Sequence, residues 1–210
     1  MPCATNRFPV AEPPVAETPA PRPVRHGGEP IRRLGDDRRG TLPVELALAL
    51  PILVLLLIGG ADVTWLYIAN NKVQRAAAVI ADLAARTDEI HTRDVDDLFE
   101  AARQVSAPLD FAGSGRAFVS SVANLSGIGT RVRWQRSTSP GLAVSSRIGS
   151  AGGSADLGGV LTLAEGEEVI VGEVFLEVAP LFGLLVSGPQ RLYVRALQRP
   201  RYGTVTLVTD

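Results

Sequence analysis

The chain has little with which to staple itself or hold a metal. Cys3 is the one cysteine among 210 residues, so no intramolecular disulfide can form in any compartment. The two histidines, His26 and His91, are too few for a metal cluster and poor material for a Ser-His-Asp set. His91, beside Asp88 and Glu89, reads as part of a surface turn. No Lys-Ser or Lys-Thr pair follows the glycine-rich stretch from Gly141 to Gly166, which excludes a phosphate-binding loop of the P-loop kind. Basic residues are not in excess either, and a formal net charge of -1 argues against nucleic acid as a partner. A non-enzymatic chain with neither metal nor cofactor is the expectation.

Charge is also missing from one long stretch. Leu46 to Ala69 is a run of 24 residues whose only charge is Asp62. At 1.5 Å rise per residue it makes a helix of roughly 36 Å, enough for a hydrocarbon core of ~30 Å. Trp65 and Tyr67 stand near its distal end, where amphipathic rings favour the interface, and Asp62, within two turns of that end, is expected to be solvated. The run starts too late and continues too long for a secretory signal peptide. Arg32, Arg33, Arg38 and Arg39 precede it, against Lys72, Arg75 and Arg86 after it, a slight bias towards a cytoplasmic amino terminus.

Before the run, eight of the fifteen prolines fall within residues 1–30. That composition cannot bury enough apolar surface to offset the entropy of ordering, so residues 1 to about 35 read as disordered. Beyond the run, Val73, Ala76, Ile80 and Leu83 recur at steps of three and four, and the spanning helix is expected to continue as an amphipathic helix to about Arg86. Asp94 then looks like the N-cap of a second helix whose Val95, Leu98, Phe99, Ala102 and Val105 share a face, stopped before Pro108. The period next falls to two. Phe118 to Asn124 and Thr130 to Arg136 form a hairpin across a link containing Gly127 and Gly129, while Val169 to Val178, Leu192 to Leu197 and Val205 to Val208 read as further strands. Gly141 to Gly166 is expected to be a flexible loop. Trp134 suits the core between sheet and helix, Arg131, Arg133 and Arg136 suit a solvated basic edge, and Arg199-Pro200-Arg201 suits a strand end.

The fold class expected is α+β: a long amino-terminal transmembrane helix, continuing as an amphipathic helix packed on a small antiparallel sheet and preceded by a disordered tail. The divisions are residues 1–40 as a cytoplasmic tail, 41–69 as the span and 70–210 as an extracytoplasmic α+β domain. At the mouth of the span stands Glu45, whose charge would oppose insertion by roughly 2–3 kcal/mol if it were fully embedded. It needs a partner or a place among the headgroups. Pro51 in mid-helix frees a backbone carbonyl and favours a kink that packing neighbours can compensate. Gly59 and Gly60 permit close helix approach, although they lack the four-residue spacing of a dimerisation motif.

Gly40-Thr41, with Glu45 four residues on, the phrase Val44-Glu45-Leu46-Ala47-Leu48-Ala49-Leu50-Pro51, and the carboxy-terminal Arg199-Pro200-Arg201 together resemble the TadE-like family of tight-adherence (Flp-type) type IV pilus assembly proteins. Val132-Arg133-Trp134 and the stretch Val174 to Leu181 look like that family too, so the resemblance runs from about Arg38 to Arg201. It implies a pilin-like fold and a minor pilin or pseudopilin in the bacterial inner membrane, with its carboxy-terminal domain on the periplasmic side. It further implies cleavage by a prepilin peptidase between Gly40 and Thr41. Glu45 would then neutralise the ammonium of Thr41 on a neighbouring subunit. The partners implied are that peptidase, inner-membrane platform proteins, other TadE-like or TadF-like subunits, the major pilin and the lipid bilayer. The alternative from another class is an uncleaved, membrane-anchored periplasmic binding or sensory module with the Gly141–Gly166 loop as its variable surface.

Overall fold

The computed structural model describes residues 41–138, 141–184 and 186–209. The proline-rich tail, Arg38, Arg39 and Gly40 lie outside the described residues.

Helix α1 runs unbroken from Thr41 to Ala84 and contains Pro51. Residues 49–210 form one compact unit, and Thr41–Leu48, counted with the other part of the chain, is described as the start of the helix. The distal part of α1 carries the expected stripe: Ala69, Val73, Ala76, Ala77, Ile80 and Ala84 are fully buried. Short side chains dominate this stripe because the sheet comes very close. A Cβ added at Gly172, in the middle of the sheet, would stand 2.5 Å from the Ala77 carbonyl oxygen and 3.1 Å from the Ala81 nitrogen. Alanine on one side and glycine on the other set the spacing of the two layers.

Helix α2 spans Thr92–Ser106 and buries Val95, Leu98, Phe99 and Ala102 as expected. It begins three residues earlier than an N-cap at Asp94 suggests. His91 is the N-cap, and the Asp94 carboxylate, in the first turn, accepts the His91 backbone N–H at 3.0 Å. Residues Glu89–His91 form strand β1 rather than a surface turn, with Ile90 buried. A one-turn helix α3, Phe111–Ser114, leads into the sheet.

Strands β2 (Gly115–Leu125), β3 (Gly129–Ser137), β4 (Glu168–Val178) and β5 (Gln190–Gln198) form an antiparallel sheet in the order β3-β2-β4-β5. The β2–β3 hairpin turns through Gly127 and Gly129, both in the left-handed region at φ 72° and 88°. A short β6, Thr206–Val208, pairs in parallel with β1 in a separate two-stranded sheet. The expected fifth strand thus exists but belongs elsewhere.

The sheet is covered on both faces. Ile170, Val174 and Leu176 of β4 join Ala117, Val119 and Trp134 in the core under α1. Val169 and Val171 face the other way and join Val122, Val132, Ile148, Leu157 and Leu163 in a second core. The last three come from the Gly141–Gly166 segment, which is therefore a packed covering layer and not a flexible loop. Its polar backbone is held as well: Val132 donates its N–H to the Gly153 carbonyl and Gly152 donates to that of Val132. Close approach to the sheet requires glycine at one end of the layer, where a Cβ at Gly141 would meet the Gly115 carbonyl oxygen of β2 at 2.5 Å, and a tight turn requires it at Gly149, where a Cβ would meet the Ser154 carbonyl oxygen at 2.6 Å.

Candidate functional site

The proximal part of α1 has no use in a water-soluble fold. Every residue from Leu42 to Leu57 is exposed, and all but Pro43, Glu45 and Pro51 are Leu, Val, Ile or Ala. An apolar surface of that extent marks an interaction site. A core helix would be buried, and this segment is not. Among the described residues one helix is long and apolar enough to cross a membrane, and this is it. The same helix then enters the core of the sheet domain, so the candidate span and the fold share one element.

The residues singled out from the sequence fall along this helix without converging on a common point. Thr41 is its first residue. Glu45 is exposed and makes no ion pair among the described residues. Pro51 is exposed within the unbroken helix. Gly59 and Gly60 divide: Gly59 is buried, while a side chain at Gly60 would meet nothing within 4 Å. The pair therefore does not serve one close contact. Thr64 closes the local backbone by donating its hydroxyl to the Gly60 carbonyl at 2.7 Å.

Asp62 departs most from expectation. It is fully buried, not solvated. The segment after β4 folds against α1 and aims two backbone donors at the carboxylate: Phe182 N–H to Oδ1 at 2.8 Å and Gly183 N–H to Oδ2 at 3.1 Å. Gly183 has φ 69°, a left-handed conformation that glycine adopts without strain and that brings successive N–H groups to one acceptor. One turn along, the Trp65 indole N–H donates to the Ala179 carbonyl at 3.1 Å. The sequence did carry a faint signal for this cradle, since Pro180-Leu181-Phe182-Gly183-Leu184 is unusually apolar for a link between strands. Nothing local ties it to Asp62.

Two of the three hairpin arginines, Arg131 and Arg133, are engaged within the fold rather than free. Arg133 pairs with the buried Glu168 at 2.7 Å, and Glu168 also accepts from the Ser121 hydroxyl at 2.8 Å and the Val205 N–H at 3.1 Å. Arg131 donates to the Gly152 carbonyl. Trp134 does fill the helix-facing core, its indole N–H bonded to the Val205 carbonyl at 2.8 Å. Arg199-Pro200-Arg201 follows the end of β5, as expected, and ties the strand's exit to the end of α1. Arg201 donates its backbone N–H to the Ala85 carbonyl at 2.9 Å, and Arg199 approaches Glu167 at 3.3 Å. No group of three or more His, Cys, Asp or Glu among the described residues is placed to hold a metal ion.

Fold and site together define a class: a pilin-like α+β protein whose long amino-terminal helix is free and apolar over its first half and packed on a small antiparallel sheet over its second. A family model described as TadE-like protein matches residues 40–82, the family that the phrase around Glu45 resembles. Neither the curated proteins nor the solved structures compared with the chain contain a match. The TadE-like segment supports a pilin-like role connected with the tight-adherence pilus, and the single apolar helix is consistent with membrane anchoring.

Proposed function

We propose that this chain is a TadE-like minor pilin or pseudopilin that helps assemble a tight-adherence, Flp-type pilus. Residues 1–40 are a cytoplasmic leader removed by a prepilin peptidase between Gly40 and Thr41, residues 41–69 carry the span, and residues 70–210 form the extracytoplasmic domain. The protein works by helix packing and catalyses nothing. Its partners are the peptidase, the inner-membrane platform proteins, other TadE-like or TadF-like subunits and the major pilin.

The observation that carries this reading is the extent of the family match, which opens at Gly40 and follows α1 almost to its end. Glu45 supports it from another direction. An exposed carboxylate in an apolar helix costs least when another molecule brings the counter-charge, and cleavage before Thr41 would create such an ammonium four residues away on each neighbour. The anchored-sensor alternative leaned on a free surface loop, and the burial of Ile148, Leu157 and Leu163 leaves it without that support.

The deciding measurement is the intact mass of the protein extracted from membranes of cells carrying the tight-adherence machinery. A chain beginning at Thr41 is expected; a chain that keeps the leader, in cells whose peptidase processes its other substrates, would overturn the proposal.

A further inference from the structure

Pro180–Leu184 links β4 towards β5 and presents Leu181, Phe182 and Leu184 at 55%, 64% and 56% exposure. Three large apolar side chains so close together are unusual for a loop facing water. Two observations say what covers them.

The first is depth. Leu181 lines one groove with Leu56, Leu57, Gly60, Thr64 and Ile68 of α1. A hydrocarbon core of ~30 Å takes about 20 helical residues, and the unpacked part of α1, Leu42 to Leu57, supplies only about 24 Å. The missing length comes from the turns beginning at Ile58, the turns against which Leu181 rests. If α1 spans, this segment lies at a depth where its neighbours on the helix meet lipid.

The second is chemistry. Irregular backbone survives in hydrocarbon only where its N–H groups find protein acceptors. The Phe182 and Gly183 N–H groups both end on the Asp62 carboxylate, and the carboxylate, fully buried, meets two donors at once. Such charge-assisted bonds stabilise an ion and a backbone that would each be costly alone.

We infer that Pro180–Leu184 is a second membrane-contacting element, entering the leaflet on the side of the sheet domain with Leu181, Phe182 and Leu184 against acyl chains, and that Asp62 is the positioning residue that holds its backbone there. The inference rests on the anchor reading, and it adds a lipid-facing role that the family match, ending at residue 82, does not touch. It also orients the domain, because two points of contact restrict its tilt and rotation about the helix.

The test uses the full chain with Cys3→Ser and one new cysteine at a time, Phe182→Cys, Leu57→Cys or Val160→Cys. Each is labelled with an environment-sensitive fluorophore and reconstituted at low density in phosphatidylethanolamine and phosphatidylglycerol vesicles. Quenching is read with acyl-chain nitroxide lipids and, separately, with aqueous iodide. The probes at positions 182 and 57 should be quenched by the nitroxide lipids and protected from iodide, and the probe at 160 should behave in the opposite way. Lipid quenching at 57 with iodide quenching at 182 leaves the anchor standing and overturns the inference. Protection at 182 from both quenchers overturns it too, since protein would then cover the loop. Loss of lipid quenching at 57 itself overturns the anchor reading and the inference with it. Adding Asp62→Ala should release the probe at 182 from lipid into iodide's reach while the probes at 57 and 160 keep their signatures. Unchanged quenching at 182 in that variant removes Asp62 from the positioning role.

Discussion

Three carboxylates are buried among the described residues, and each is met by donors suited to its place. Asp62, on α1, takes two backbone N–H groups. Glu168 takes a guanidinium, a hydroxyl and an N–H. Glu173 accepts from the Ser146 hydroxyl, the Arg147 N–H at 3.0 Å and the Tyr193 hydroxyl at 3.0 Å, while the Arg147 guanidinium lies 4.2 Å from the centre of the Tyr193 ring. Burial pushes the Tyr193 hydroxyl well above the ordinary tyrosine range, and the neighbouring Glu173 charge and their hydrogen bond push it the same way; Arg195 and Arg147 oppose them. The folded chain therefore holds the phenolic proton more tightly than the unfolded one. Below about pH 10 both states carry it and this contribution is intact; as pH rises past that value the unfolded chain ionises first and stability falls. Thermal unfolding followed by circular dichroism should show Tm falling between roughly pH 10 and 12, and falling less in Tyr193→Phe. The variant should also lose about 1 kcal/mol at neutral pH with its bond to Glu173. Parallel pH slopes for the two proteins would assign the alkaline loss to other groups.

At the scale of elements, β4 is the member on which the others are built. Its sequence, Glu168 to Val178, reads as a near-continuous apolar run because one face receives α1 and the other receives the Gly141–Gly166 layer. Gly172 sits where the helix comes nearest, and its added Cβ would strike the Ala77 carbonyl oxygen, which belongs to the backbone and cannot rotate away. Gly172→Ala should therefore destabilise by about 1–3 kcal/mol, a drop of several degrees in Tm that calorimetry in detergent can measure. An unchanged Tm would mean that helix and sheet are free to separate slightly. Part of this level was legible beforehand: the 3–4 spacing of Val73, Ala76 and Ile80 reports a face directly. The alternation in Val132 and Trp134 marks a strand but not its faces, because the register shifts between Ser121 and Val122 and the two side chains fall in different cores. The covering layer was not legible, because Ile148, Leu157 and Leu163 follow no period and are scattered among glycines and serines, the composition of a linker. Strand β1 was missed for a related reason. Three residues with one apolar side chain, Ile90, carry too little pattern, and the strand exists only because β6 pairs with it from more than a hundred positions away.

For the whole molecule, the division of α1 into a free apolar half and a packed half is what makes an assembly role physical. A chain built this way has one surface that only lipid or other apolar helices can cover. In a bundle of such helices Glu45 would be an uncompensated charge unless a neighbour's amino terminus met it. Glu45→Ala should accordingly insert in the membrane and lose its leader normally, yet fail to support piliation, as counted by electron microscopy of cells complemented with the variant. Normal piliation would sink the pairing between subunits and leave Glu45 as a headgroup-level residue.

The sequence alone determined the apolar span, its amphipathic continuation, the antiparallel strands and the motif around Gly40 and Glu45, because each is written in the spacing of neighbouring residues. Tertiary structure decided the rest: that Asp62 is buried rather than solvated, that a glycine-rich stretch is a second core, and that Arg133 belongs to Glu168. The physical reason is sequence separation. Asp62 meets its donors 120 and 121 positions away, and no local pattern records which distant backbone will fold back to supply them.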